Sequence, residues 1–517
     1  MPVNNQLQNR TRTQRLPQLK VSYFFVGLLQ AMAAGAAWAA SSGGEILRAF
    51  GLTSVLLAIL VPLLVSLEAG LLAMVIFEPF RGLLRRMQYL VVPYSASEPI
   101  HLLTPIGALF AFLIVLYRHK LAIFVATPMA KATSLLALIC LVQVFNPLQG
   151  GLFVGLSGAL FILVPMAWFY FGQHTSADLF PRVLRLVVVL GLLASAYGVY
   201  QMVAGYPAFE QYWIENTDHY QSIAVYKVTR AIATFSNAEE WGRYVELGCL
   251  IAVGLAASRS EGKFRLAWAI CAAILAIMIA LTGQRTSIFG LFLGLTVFFI
   301  AGARSWGSVA TRIAALAVAC GCFLFASSQF APNESDLKSG ESVSTLLSHT
   351  TKGTLDPTNE TSLGVRFETW SQVLFETIPS NPLGAGLGDS TLSGTRSDEN
   401  ERRPIDNHFF TLATSAGVPA MLLFIWIFWR SFRNSMRLCK QAELGSKEFA
   451  TARIAMTLVA TLILNNFFGT TFMIYSIAPL GWLLLGWISA KSLELPIAVT
   501  KTTGHRPYLK RLEPSLK

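Results

Sequence analysis

A succession of apolar stretches, most of roughly 17 to 25 residues, separated by short polar linkers, leaves this chain few folds to choose from. Each is long enough to cross the hydrocarbon core of a bilayer as a helix, and a helix satisfies its own backbone hydrogen bonds there. The other spanning solution, a closed barrel, needs period-two alternation over about 10 residues, and no stretch shows it. With 54% hydrophobic and 13% charged residues over 517 positions, the composition excludes an ordinary soluble domain. The expected fold class is therefore an all-α polytopic membrane protein.

Spans are expected at 21–40, 102–117, 121–145, 152–171, 183–203, 244–257, 266–281, 288–301, 309–330, 418–429, 450–468 and 472–490. The first is read as an uncleaved span. The block 50–80 is too long for one ordinary helix and is interrupted by Glu68. One polar stretch sets the topology. Residues 332–415 hold 12 of the 28 Asp and Glu against six Lys and Arg, in a chain of net charge +12. Short cytoplasmic loops collect Lys and Arg, whereas a long loop crosses regardless of its charge. The linkers at 118–120, 182–185, 259–265, 304–312 and 430–453, and the tail at 501–517, are basic. They belong on the cytoplasmic side, and the acidic loop on the other. Parity then splits 50–80 into two segments turning at Glu68, giving about 14 crossings, or 12 if both are re-entrant. Arg81, Arg85 and Arg86 fall on the outer side, against the trend.

The chain thus divides into N-terminal spans (1–205), central spans with an outer loop at 206–243 (206–331), a large periplasmic loop of short helices (332–416), C-terminal spans (417–491) and a basic cytoplasmic tail (492–517). The basic pI of 9.5 does not point to nucleic acid, because the basic residues sit in short clusters between spans. Six cysteines lie in or beside spans, and neither they nor any HExxH or paired CxxC spacing argues for a metal or a cofactor. Cys320 and Cys322 are read as packing residues.

Four further arginines fall at or beside outer span ends: Arg230, Arg243, Arg285 and Arg366. Charge at membrane depth is costly and points to function, and a guanidinium presents a planar fork of donors suited to phosphate oxygens. Converging, the four would form an anion site sized for a diphosphate. The alternative is that they snorkel to headgroups or pair with Glu239, Glu240, Glu246 or Glu368. In Asn381-Pro382-Leu383-Gly384-Ala385-Gly386-Leu387-Gly388, alternate glycines suit a tight turn that lets backbone approach a helix or a ligand. Asp406-Asn407-His408 opens an expected helix re-entering the membrane. Its carboxylate or its imidazole could take a proton from a sugar hydroxyl. Residues two apart on a helix point roughly 200° apart, so one of Asp406 and His408 would face a site. Asp406 could equally cap the helix.

The blocks RAIATFSNAEEWGRYVEL, LTGQRTSIFGLFLG, VRFETWSQVLFETIPSNPLGAGLGDS and DNHFFTLATSAGVPAMLLFIWIF, taken in order, resemble those of the O-antigen polymerase and O-antigen ligase superfamily. The resemblance covers about residues 225–490. It implies a metal-independent, inverting membrane glycosyltransferase of class C-like fold in a bacterial inner membrane, with both termini cytoplasmic and the active site periplasmic. Its donor would be an undecaprenyl-diphosphate-linked glycan, its surroundings membrane lipids, and its partners a flippase and a chain-length regulator of the same pathway. Arg285 and Arg366 would bind the diphosphate, with Arg230 and Arg243 beside them and Asn407, Glu240, Glu368, Trp370, Gly386 and Gly388 in support. The histidine that such enzymes present as base is Asp406 here, with His408 shifted by two. This departure favours repeat-unit polymerisation over ligation to lipid A-core or protein, and a transporter or flippase stands third.

Overall fold

The computed structural model describes residues 44–90, 92, 98–176, 178–217, 224–225, 228–301, 303, 307–314, 317–318, 321, 361–388 and 405–494. The expected span at 21–40, most of that at 309–330, Cys320 and Cys322, and the basic tail lie outside these residues. The described chain is an all-α membrane bundle with one two-residue hairpin, Ala224–Val225 against Val228–Thr229. Among the described residues, six stretches are helical, long and apolar enough to cross a membrane: Ile46–Val65, Pro99–Phe124, Leu152–His174, Leu179–Ala204, Arg259–Leu281 and Lys447–Phe467. Pro128–Gln143 and Arg285–Ala301 are shorter apolar helices.

The long block divides as its sequence suggested, two residues earlier. Helix α1 (Gly44–Val65) ends before Ser66, whose side chain accepts a hydrogen bond from Ala69 N and caps α2 (Leu67–Phe77). Leu63 and Gly70 would stand about 10 Å apart along a continuous helix. Instead a Cβ on Gly70 would lie 2.9 Å from the Leu63 Cα, so the chain doubles back. At this turn the Glu68 carboxylate accepts from Ser176 N at 2.9 Å and pairs with Arg182 at 3.8 Å. The turn therefore shares one end of the bundle with the basic linker at 182–185.

At the other end stands α3 (Arg81–Met87), and its three arginines are accounted for by burial and pairing. Arg86 is wholly buried, donating to Glu210 at 2.7 Å, to the Ala233 carbonyl at 2.6 Å and to the Phe235 carbonyl. Arg81 pairs with Glu78 at 3.1 Å, and Arg85 pairs with Glu98. Arg86 is an internal strut from α3 to helix α4 (Ala208–Glu215) and the 230s loop, and Arg81 and Arg85 are paired with Glu78 and Glu98, so a rule about solvent-facing loops does not govern them.

Two helices depart from the hydropathy reading. Helix α5 (Ala238–Ala257) begins six residues before the expected span at 244–257. Asn237 caps it by accepting from Glu240 N at 2.7 Å, which makes its first two turns, AEEWGR, helical. Glu240 and Arg243 are buried with hydrogen-bond partners inside the protein, which hydropathy cannot register. The last helix, Ala478–Lys491, starts six residues after the expected 472, because Thr470–Ile477 turns back under the aromatic cluster of Phe424, Phe428 and Trp482. Helices α6 (Arg285–Ala301) and α7 (Lys447–Phe467) pack on α5 through small residues, Gly290 against Glu246 and Gly294 against Leu250 and Thr461.

Candidate functional site

The outer end of α5 is the floor of the site. Glu240 is buried and used up by the fold: one oxygen accepts from Ser236 N at 3.1 Å, the other from Ser476 Oγ at 2.6 Å. Glu239, one residue earlier, has a side chain 40% exposed and lies 2.7 Å from Arg243 Nη2. Arg243 is buried to 1%. Its guanidinium also donates to the carbonyls of Asn465 (2.6 Å) and Phe468 (3.3 Å) and to Thr471 Oγ1. A Cβ at Gly469 would fall 2.2 Å from Nη2 and 2.9 Å from the Glu239 carboxylate, so only glycine lets that backbone pass. The expectation that Arg243 offers a fork to a ligand is thereby corrected: the fork ties α5 to the end of α7.

Arg285 is the first residue of α6 and follows the Thr282-Gly283 turn, where Gly283 takes φ +68°. Gly242 on α5 faces Thr282, Gln284 and Ser287 across this turn, which brings the two helix N-termini together. Arg230 lies in electrostatic reach of both Arg285 and Glu239. Burial lowers its pKa, Glu239 opposing the shift and Arg285 adding to it.

The large loop supplies the remaining cation. Helix α8 (Thr361–Gln372) carries Arg366, whose Nε and Nη2 each lie 3.1 Å from Asp406 Oδ2. One turn on, Trp370 donates from Nε1 to the Ile405 carbonyl at 2.7 Å and packs its ring against Phe410, Phe467 and Phe468. Trp370 is thus the peg that docks α8 on the bundle and holds 405–407 in place. Glu368 points outward on the same helix.

The alternatives left open at Asp406-Asn407-His408 separate cleanly. Asn407, not Asp406, caps helix α9 (His408–Ala416), accepting from Phe410 N at 3.2 Å. Asp406 takes φ +47°, a left-handed conformation that Asp tolerates better than most residues, and presents its carboxylate to Arg366. Burial raises its pKa, opposed by Arg366 and reinforced by Glu239. His408 is turned away. It is 2% exposed, its ring packs against Phe424 and Phe472, and its Nδ1 finds no hydrogen-bond partner among the described residues. Burial pushes its imidazole down to about 3, which makes it a neutral packing residue. The expectation of His408 as a site-facing base is corrected accordingly.

The glycine run packs backbone against backbone. Ala385 N and Gly386 N donate to the carbonyls of Thr414 and Ser415 at 2.8 and 3.0 Å, and Gly388 N donates to Gln149 Oε1 at 3.1 Å. Gly386 takes φ +110°, and a Cβ on Gly388 would meet the Val154 carbonyl at 2.2 Å. This is the close approach to a helix that the alternate glycines suggested. A groove of about 630 Å³ beside it, between Phe145, Leu148, Asn381 and Leu383, is lined by none of the four arginines.

Two ion pairs, Arg243 with Glu239 on α5 and Arg366 with Asp406 before α9, are linked electrostatically through Glu239, which also acts on Arg230, itself in reach of Arg285 at the start of α6. Helix N-termini and guanidinium groups both favour an anion. Among the described residues no three His, Cys, Asp or Glu side chains stand close enough to hold a metal ion. Glu239, which the sequence suggested only as a pairing partner, pairs with Arg243 and acts electrostatically on Arg230 and Asp406; the clue was its place in the first turn of a capped helix.

Fold and side-chain geometry together define a multi-pass all-α membrane protein with paired arginines and carboxylates at the starts of α5 and α9. Residues 270–425 match the family model described as O-antigen ligase, which bears out the resemblance to the O-antigen ligase and polymerase superfamily. The match supports an enzyme of glycosyltransferase-like ligase or polymerase type at a coarse level, and that family implies lipid-linked glycan substrates. The match includes Arg285, Arg366 and Asp406, while Arg230, Glu239 and Arg243 precede it. No curated protein matches the chain.

Proposed function

We propose that the protein polymerises undecaprenyl-diphosphate-linked oligosaccharide repeat units at the periplasmic face of a bacterial inner membrane. The observation that carries this reading is the Arg366 guanidinium 3.1 Å from the Asp406 carboxylate, with Glu239 acting electrostatically on both Asp406 and Arg230, and Arg230 in reach of Arg285. The acceptor hydroxyl, on one lipid-linked unit, attacks the anomeric carbon of a chain on a second carrier. Asp406 takes the hydroxyl proton, and the anomeric C–O bond breaks with its electron pair passing to the departing diphosphate. The arginines stabilise that charge, the larger contribution in a preorganised site. A raised Asp406 pKa suits this role, since a stronger base accepts a proton more readily.

Ligation to lipid A-core or protein is the second reading, favoured by the description of the matching family. Against it stands the aspartate in the position where ligases are expected to present histidine, with His408 sealed among Phe424 and Phe472. Deleting the gene and resolving lipid-linked and surface glycans on a gel separates the two. Single repeat units accumulating on the carrier, with the long ladder lost, are expected. Long chains persisting on the carrier, with none on the final acceptor, would establish ligation. Arg285→Ala should remove polymer while the protein stays in the membrane; an unaltered ladder in that variant overturns both readings.

A further inference from the structure

Helices α5, α6 and α7 meet around a buried carboxylate that the proposed reaction does not use. Glu246 lies about two turns into α5, wholly buried and at the depth of the spanning segments. Its Oε2 accepts from Asn465 Nδ2 on α7 at 3.0 Å. Gly290 lets α6 press on the same group, since a Cβ there would fall 1.8 Å from Oε1. Ser287, about one turn earlier on α6, is close enough for its hydroxyl to act on the carboxylate. Thr461 is one turn along α7 from Asn465 and packs on Gly294, one turn along α6 from Gly290.

Their oxygens lack partners. Glu246 Oε1, Ser287 Oγ, Asn465 Oδ1 and Thr461 Oγ1 are all buried and all without a hydrogen bond. Buried polar atoms are almost always paired, so orphaned oxygens from three helices at one junction point to a further group held among them. The carboxylate's charge is unanswered as well. Its hydrogen bond comes from a neutral amide. Arg243, which acts on it from one turn away, spends its guanidinium on Glu239, the Asn465 and Phe468 carbonyls and Thr471, leaving its Nε as the unpaired donor. A carboxylate at membrane depth is costly until something neutralises it.

The chemistry of these donors selects the ligand. All four free atoms are oxygens, the donors that hard cations prefer, and with no His or Cys among them a transition metal lacks the ligands it favours. One carboxylate balances one positive charge, which excludes a divalent ion beside Arg243. A shell this small suits Na+ better than the larger K+. We propose that Glu246, Ser287, Asn465 and Thr461 form a buried Na+ site at the junction of α5, α6 and α7. The ion clamps the three helices just below the arginines. It also steadies the end of α7, which leads into the turn whose Gly469 carbonyl accepts from His408 N at 3.0 Å.

Purified full-length protein, moved into choline chloride and titrated with NaCl at constant ionic strength, tests this through thermal unfolding and equilibrium binding of radioactive Na+. Wild type should bind Na+ saturably, and its unfolding midpoint should rise by about 2–4 °C at roughly a hundredfold excess over the dissociation constant. Glu246→Gln, which keeps the shape and removes the charge, should lose the Na+ response and unfold in choline no earlier than wild type. Ser287→Ala, which removes one oxygen and leaves the charge, should weaken Na+ binding roughly tenfold, the effect of losing about one charge-assisted contact. A wild-type midpoint indifferent to Na+ would overturn the proposal and leave the carboxyl holding a proton or a bridging water. A Na+ response undiminished in Glu246→Gln would put the ion elsewhere and overturn it too. Should Glu246→Gln fail to fold, an unchanged Na+ affinity in Ser287→Ala overturns the proposal by itself.

Discussion

Arg366 and Arg243 both meet a carboxylate near 3 Å, yet their removal should do opposite things. The Arg366 and Asp406 side chains are 30% and 39% exposed, so their attraction is screened by water and contributes under about 1 kcal/mol to stability. Its guanidinium should matter for the diphosphate leaving group. Losing one preorganised donor at a developing charge costs about 10²–10³ in rate. Arg366→Ala is therefore expected to unfold within a few degrees of wild type and to polymerise at least about 100-fold more slowly. Arg366 also holds the Asp406 pKa down against burial. Its removal raises that pKa further, so the residual activity should need higher pH to deprotonate the base, moving the acid limb of the rate profile upward. Arg243→Ala is the contrast. It leaves the Asn465 carbonyl buried and unpaired and strands Glu239, and losing a buried charged strut costs about 3–5 kcal/mol. The assay is polymer formation from purified lipid-linked repeat units, beside thermal unfolding in detergent. Activity in Arg366→Ala within a few-fold of wild type, or destabilisation equal to that of Arg243→Ala, would refute the division of these arginines into site and strut.

Three further outcomes are expected. His408→Leu should keep transfer within a few-fold and leave the pH profile unmoved, because the imidazole faces Phe424 and Phe472; loss of transfer in a folded variant would return His408 to candidacy as base. Trp370→Ala removes the bond to the Ile405 carbonyl and the ring contacts with Phe410, Phe467 and Phe468, a truncation of about 3–5 kcal/mol where fully felt. Amide exchange over 361–380 should accelerate far more than in the spans, with activity lost. Arg86→Ala leaves Glu210 buried and uncompensated, at about 3–5 kcal/mol, and should deplete the protein from the membrane; replacing Glu210 by Gln as well should restore part of it.

Much of this protein was legible before any coordinates. The lengths of the apolar runs determined an all-helical membrane bundle, because a bilayer core admits no unpaired backbone. The excess length of 50–80, with Glu68 in its interior, foretold the doubling back at Ser66. The glycine spacing at 384, 386 and 388 foretold backbone packed on backbone, since each Cβ would have met a neighbour. What sequence left open were choices that depend on partners distant along the chain. Arg243 and Arg366 look alike as residues beside span ends. One became a strut because Asn465, Phe468 and Thr471 arrive from about 220 to 230 positions away, and the other faces the site because Asp406 does. Asp406, Asn407 and His408 are likewise adjacent and all polar, and only the packing of α9 against Phe424 and Phe472 decided which caps, which is sealed away and which meets the cations. Spacing sets which residues share a face, but the charge a buried group ends up facing is set by the tertiary fold.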